Sequence, residues 1–167
     1  MRQVVRGDGM PKRILVVDDH DVVRQGVRLI LRTHPEWEIV AEAGDGLEAI
    51  DKIASLRPDL VILDISMPGK DGLEVAAQLT KMQTHSKILI FTMHDPVELI
   101  SEVKKAGASG YVIKSQAARD LVHAVQEIFD GGVFFPAGDP PSLKLHTEKP
   151  PIRKKGGMFR VKPPADS

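Results

Sequence analysis

The sequence predicts an α/β domain of the (βα)₅ class, a doubly wound sheet of five parallel strands. Short runs rich in Val and Ile recur five times, and helix-like patterns fill the intervals between them. The first, third and fourth runs are near-continuously apolar, as central parallel strands covered on both faces must be. Right-handed crossovers follow for such a string, and the common five-strand order is 2-1-3-4-5.

In chain order, the strands are expected at "RILVVD" (13–18), "EIVAEA" (38–43), "DLVILD" (59–64), "KILIFT" (87–92) and "GYVIK" (110–114). A first helix is expected over 21–33, a second over 46–55 and a third over 72–82. The fourth carries its own punctuation in "DPVELISEVKKAG". Asp95 can cap its start, Pro96 fits the first turn, Lys104 and Lys105 suit the last turn, and Gly107 can end it. The last, over 116–130, presents Leu121, Ala124, Val125 and Ile128 at i, i+3, i+4 and i+7.

A chain of 167 residues suits one ordinary domain plus extensions, and a hydrophobic share of 42% is enough for a real core. Aromatics make up only 4%, so aliphatic side chains must do most of the packing, with Trp37 placed near the second strand. The absence of cysteine excludes disulfides, thiolate metal sites and cysteine nucleophiles. No apolar run approaches a membrane span, and residues 1–12 lack the apolar stretch of a secretory signal, so a cytoplasmic protein is expected. The net charge of zero hides an asymmetry. Residues 136–167 carry +4 and residues 1–12 carry +2, leaving −6 on the body at 13–135. An acidic body argues against a whole-domain nucleic-acid footprint. Seven of the twelve prolines fall in 136–167, which reads as a basic, disordered or extended tail. The organisation expected is an N-terminal extension (1–12), one domain (13–135) and that tail.

The strand order places Asp18 and Asp19, Asp64, Thr92 and Lys114 on one rim, at the carboxyl ends of the strands. Singly, each has an ordinary structural explanation: aspartates cap helices, threonines bond to backbone at strand ends, and lysines are solvated. Together, three carboxylates in one loop layer repel one another, raising their pKa values. A hard divalent cation relieves this, and Mg²⁺ takes few carboxylates while leaving room for a phosphate oxygen. Asp64 is then placed as a carboxylate nucleophile that forms an aspartyl phosphate, with Lys114 and Thr92 offering a cation and a hydroxyl to the phosphoryl oxygens. Three carboxylates and one lysine leave −2, which Mg²⁺ brings to zero. His20 is read as a polar residue of the turn, since nothing at ligand spacing accompanies it in sequence.

These motifs, "ILVVDDH", "DLVILDISMPGKDG", "ILIFTMHD" and "SGYVIKS" in that order, resemble the response-regulator receiver domain, a CheY-like, flavodoxin-like fold. "DDHDVVRQGVRLIL", "FTMHD" and "GGVFF" are most similar to receivers of NarL/FixJ-type transcription factors. The resemblance implies an acidic Mg²⁺ pocket of Asp18 and Asp19, completed by Asp64 and the backbone carbonyl of Ser66. It implies phosphoryl acceptance by Asp64 from a sensor histidine kinase or phosphotransfer protein, a switch pair Thr92 and Tyr111, and Lys114 as the phosphate-binding cation. Tyr111 is expected to rotate inward from an exposed position on phosphorylation. The changing surface, a candidate face for homodimerisation when phosphorylated, is then the fourth helix, fifth strand and fifth helix. Met93 is expected to cover the phosphorylation site in part. The tail is too short and broken for the helix-turn-helix output unit of that subfamily. Either the chain is a stand-alone receiver acting through protein contacts, or its output domain is missing from it. No specific DNA binding and no membrane partner are expected.

Other classes fit less well. A Mg²⁺-dependent phosphohydrolase of the haloacid-dehalogenase type wants a second acid two residues after its nucleophile, where Ser66 stands. A flavin-binding protein wants a Ser/Thr-rich phosphate loop after the first strand, where "DDHD" would repel a phosphate.

Overall fold

The computed structural model describes residues 9–94 and 96–135. The expected cap at Asp95 and the expected tail therefore lie outside the described residues. Five strands, β1 (Lys12–Val17), β2 (Trp37–Ala43), β3 (Leu60–Leu63), β4 (Lys87–Thr92) and β5 (Gly110–Ile113), form one parallel sheet in the order β2-β1-β3-β4-β5. Between and after them run α1 (Asp21–Leu31), α2 (Gly46–Leu56), α3 (Gly72–Lys81), α4 (Pro96–Lys105) and α5 (Ala117–Phe129).

The apolar runs divide by alternation between two cores, because successive strand side chains point to opposite faces. Leu15, Val17, Val61, Leu63, Ile88, Ile90 and Tyr111 pack with Ala49 and Ile53 of α2, Val75 and Leu79 of α3, and Val103 of α4. Ile14, Val16, Leu60, Ile62, Leu89, Phe91 and Val112 pack with Val27 and Leu31 of α1 and with Leu121, Val125 and Ile128 of α5. Trp37 closes the end of this second core, stacked on His34 and tilted against Phe129.

The element ends differ from expectation where side chains turn to other work. Asp18 and Asp64 sit one residue past β1 and β3, although Asp18 N still bonds Ala43 O and Asp64 N still bonds Val17 O, each at 3.0 Å. Lys114 leaves β5 and opens a 3₁₀ turn, Lys114–Gln116, that leads into α5. Helix α1 stops at Leu31, two residues before its expected end. Two helix starts are fixed by side chains: Asp45 accepts from Glu48 N at 2.8 Å, and Asp71 with Glu74 forms a reciprocal capping box.

Candidate functional site

Parallel strands deliver their carboxyl ends to one edge, and the ends of β1, β3, β4 and β5 bring Asp18, Asp64, Thr92 and Lys114 together there. Asp18, Asp64 and Thr92 are buried, at 1%, 2% and 0% exposure. Lys114 Nζ lies 2.6 Å from Asp18 Oδ2 and 3.2 Å from Asp64 Oδ2, one cation shared by two carboxylates. Burial pushes the Asp64 carboxyl above its usual range, the Lys114 charge opposes this, and the Asp18 charge adds to it. Desolvation is therefore the leading cause, and the carboxylate repulsion expected from sequence is a lesser one.

Local hydrogen bonds aim the acids. His20 N donates to Asp18 Oδ1 at 2.8 Å, and Ser66 N donates to Asp64 Oδ1 at 3.3 Å, so each loop closes back on its own carboxylate. Asp18 Oδ2 and Asp19 Oδ1 are buried and accept no hydrogen bond among the described residues. Each has an ion contact instead, to Lys114 in one case and to His20 Nδ1, at 3.2 Å, in the other. Carboxylate oxygens of three aspartates gathered around one lysine suit a hard cation, and this donor set fits Mg²⁺.

Two expectations are corrected. Tyr111 is not exposed: its ring is fully buried in the first core, and its hydroxyl donates to the carbonyl of His94 at 2.7 Å. The alternation of β5 turns residue 111 into the first core, beside Val103 of α4. His20 has partners at ligand spacing after all, with Nδ1 3.3 Å from Asp18 Oδ1 and 3.2 Å from Asp19 Oδ1. Potential ligand atoms of Asp18, Asp19, His20 and Asp64 lie within 4.8 Å of one another. Met93 is 77% exposed.

His94 has no role in the sequence reading, although it stands in "FTMHD". Its Nε2 meets Ser66 Oγ at 2.7 Å, its N–H points to Thr92 Oγ1 at 3.4 Å, and its carbonyl takes the Tyr111 hydroxyl. It thereby links the loop after β3 to both Thr92 and Tyr111. Only the folding of two loops against each other creates this contact.

The model of the response regulator receiver domain matches residues 14–126. The chain belongs to that family. This receiver is 41% identical over 123 residues to the oxygen regulatory protein NreC of Staphylococcus epidermidis, an alignment covering 73% of this chain and 56% of NreC. It is similar in structure to a LuxR-family two-component response regulator from Aurantimonas sp. SI85-9A1 (TM-score 0.74, 35% identity, 83% of this chain and 99% of that one). It also resembles the signal receiver domain of the putative regulator NarL from Mycobacterium tuberculosis (TM-score 0.69, 32% identity, 73% and 98%). The receiver spans little more than half the length of the curated relatives it matches, 52% of DegU from Brevibacillus brevis and 56% of NreC. No helix among the described residues is long and apolar enough to cross a membrane.

Proposed function

We propose that this receiver is phosphorylated on Asp64 by the phosphohistidine of a sensor kinase or phosphotransfer protein, with Mg²⁺ bound by Asp18, Asp19, Asp64 and the Ser66 carbonyl. The observation that carries this reading is the buried triad of Asp18, Asp64 and Lys114, a nucleophile placed beside a second acid and one shared cation. An Asp64 carboxylate oxygen attacks phosphorus, the P–N bond breaks, and its electron pair returns to the imidazole of the donor. A Mg²⁺ ion held by these residues would supply neutralisation of charge on the phosphoryl oxygens. Lys114 exchanges its Asp64 contact for a phosphoryl oxygen, and Thr92 offers its hydroxyl to another. Incubation of the chain with Mg²⁺ and acetyl phosphate tests the reading: a mass gain of one phosphoryl group, localised to Asp64, is expected, and no gain refutes it.

The only chemistry in this reading is acceptance of the phosphoryl group from its donor and its slow loss. A phosphohydrolase is disfavoured because Ser66, where its second acid belongs, has its hydroxyl bonded to His94. A cytoplasmic location follows from a kinase donor. Output passes to a protein partner or to a second copy through α4, β5 and α5, and specific DNA binding is not assigned to this chain. Transcriptional regulation belongs to the longer relatives by name.

With Tyr111 already inward, phosphorylation selects this arrangement from an ensemble rather than creating it. Coupling of roughly 1–3 kcal/mol is a normal size for such a bias. Thr92→Ala is expected to leave Asp64 open to phosphorylation but to uncouple Tyr111. Amide exchange in α4, β5 and α5 should change with beryllofluoride in the parent and stay unchanged in the variant.

Met93→Ala is expected to raise the rate of loading from acetyl phosphate several-fold, by removing a long, exposed side chain next to Thr92. Stopped-flow or mass-resolved time courses check this, and an unchanged rate would mean that Met93 lies clear of the approach.

A further inference from the structure

Arg24 stands outside the acidic cluster, and each nitrogen of its guanidinium serves a different element. Its Nη1 donates to the main-chain carbonyl of Asp18, its Nε to Glu42 Oε1 of β2 at 2.8 Å, and its Nη2 to Asp21 Oδ1 in the first turn of α1 at 3.1 Å. The side chain is only 18% exposed. Glu42 is held in turn, its second oxygen paired with Arg28 and its carbonyl bonded to Lys52 Nζ. Among the described contacts, Arg24 touches the backbone of Asp18 and none of the carboxylates of Asp18, Asp19 and Asp64.

The carbonyl it grips belongs to the peptide plane joining Asp18 to Asp19. Fixing that plane fixes ψ of Asp18 and φ of Asp19, and with them the directions in which the two side chains leave the backbone. Two adjacent carboxylates facing one pocket repel, and Asp19, 26% exposed, has solvent to turn toward. A planar fork anchored on β2 and α1 opposes that rotation in a way that a point charge on a flexible stem does not.

We infer that Arg24 is the positioning residue of the cation pocket, setting its Mg²⁺ affinity by locking the Asp18–Asp19 peptide plane. The inference rests on the Mg²⁺ reading above. Its sign separates it from plain electrostatics. A positive charge near a cation site weakens binding, so neutralising Arg24 should tighten Mg²⁺ if charge is all that matters. Positioning requires the opposite.

Calorimetric titration of the full chain with MgCl₂ decides between them, for the parent, Arg24→Lys and Arg24→Gln, with melting temperatures measured in EDTA. Both variants are expected to bind Mg²⁺ roughly tenfold more weakly or worse, the usual scale for partners that orient metal ligands. The Asp19 amide resonance should shift in both without metal. If Arg24→Gln fails to fold, Arg24→Lys still decides, because it keeps the charge and most of the stem. Equal or tighter binding by a folded Arg24→Lys overturns the inference while leaving the Mg²⁺ pocket intact. Absence of Mg²⁺ binding by the parent overturns the pocket and the inference together.

Discussion

Asp64→Asn is expected to abolish phosphorylation by acetyl phosphate or a cognate kinase, because an amide is no nucleophile toward phosphorus and no other carboxylate is held in the same place. Asp18 has its oxygens turned to His20 N and Lys114, and Asp19 points toward His20. Intact-mass spectrometry after loading checks this, and a residual gain in the variant would move the acceptor elsewhere. The same substitution should stabilise the fold near neutral pH. Burial holds the Asp64 carboxyl above the usual carboxylate range. A raised native pKa means that folding disfavours the ionised form. The penalty is absent below the unfolded-chain value of about 4, grows as pH rises toward the native value and stays constant above it. Asparagine carries no such penalty. At pH 7 the variant should therefore melt higher than the parent, and the difference should vanish near pH 3. Equal melting temperatures at both pH values would mean that Lys114 fully offsets the burial.

Gly72→Ala is expected to damage both stability and phosphorylation. Gly72 opens α3 and donates its N–H to Ile65 O at 2.9 Å, packing the helix start against the backbone just after Asp64. A Cβ there would come to 2.8 Å from both Ile65 Cα and the Asp64 carbonyl carbon, and nearer still to the carbonyl oxygen. Those are backbone atoms, so no rotamer change relieves the clash. Overpacking of this kind costs about 2–3 kcal/mol, roughly 8–12 °C for a domain of this size. The forced shift displaces Asp64 from Lys114, so loading should also slow. Gly26→Ala in α1 is the control: nothing lies within 4 Å of its Cβ, and helix propensity should leave stability unchanged or raise it by up to about 1 kcal/mol. Thermal unfolding of the two variants checks the contrast, and equal melting temperatures would show that the loop after β3 yields freely.

Much of the site was legible because its chemistry is placed by topology. Once five alternating elements are read, the ends of β1, β3, β4 and β5 must share an edge, and the acids, threonine and lysine found there are quoted in the sequence itself. His20, His94 and Arg24 were not legible in those terms. His94 meets Ser66 across 28 positions of chain and Tyr111 across 17, and Arg24 meets Glu42 across 18. No periodicity or strand-end rule reports which loop folds onto which. The inward side of Tyr111 was missed for a related reason: alternation along β5 names two faces but does not say how much room the loop after β4 leaves on either.

The sequence by itself determined the parallel sheet, its layering and the rim on which Asp18, Asp64, Thr92 and Lys114 gather, because strand alternation and helix periodicity are local and the crossover rules are nearly invariant. Tertiary structure alone decided the electrostatic state of that rim. Desolvation depends on what covers a group from every side, so the burial that raises Asp64, the sharing of Lys114 between two acids and the grip of Arg24 on the Asp18 carbonyl exist only once the loops have packed.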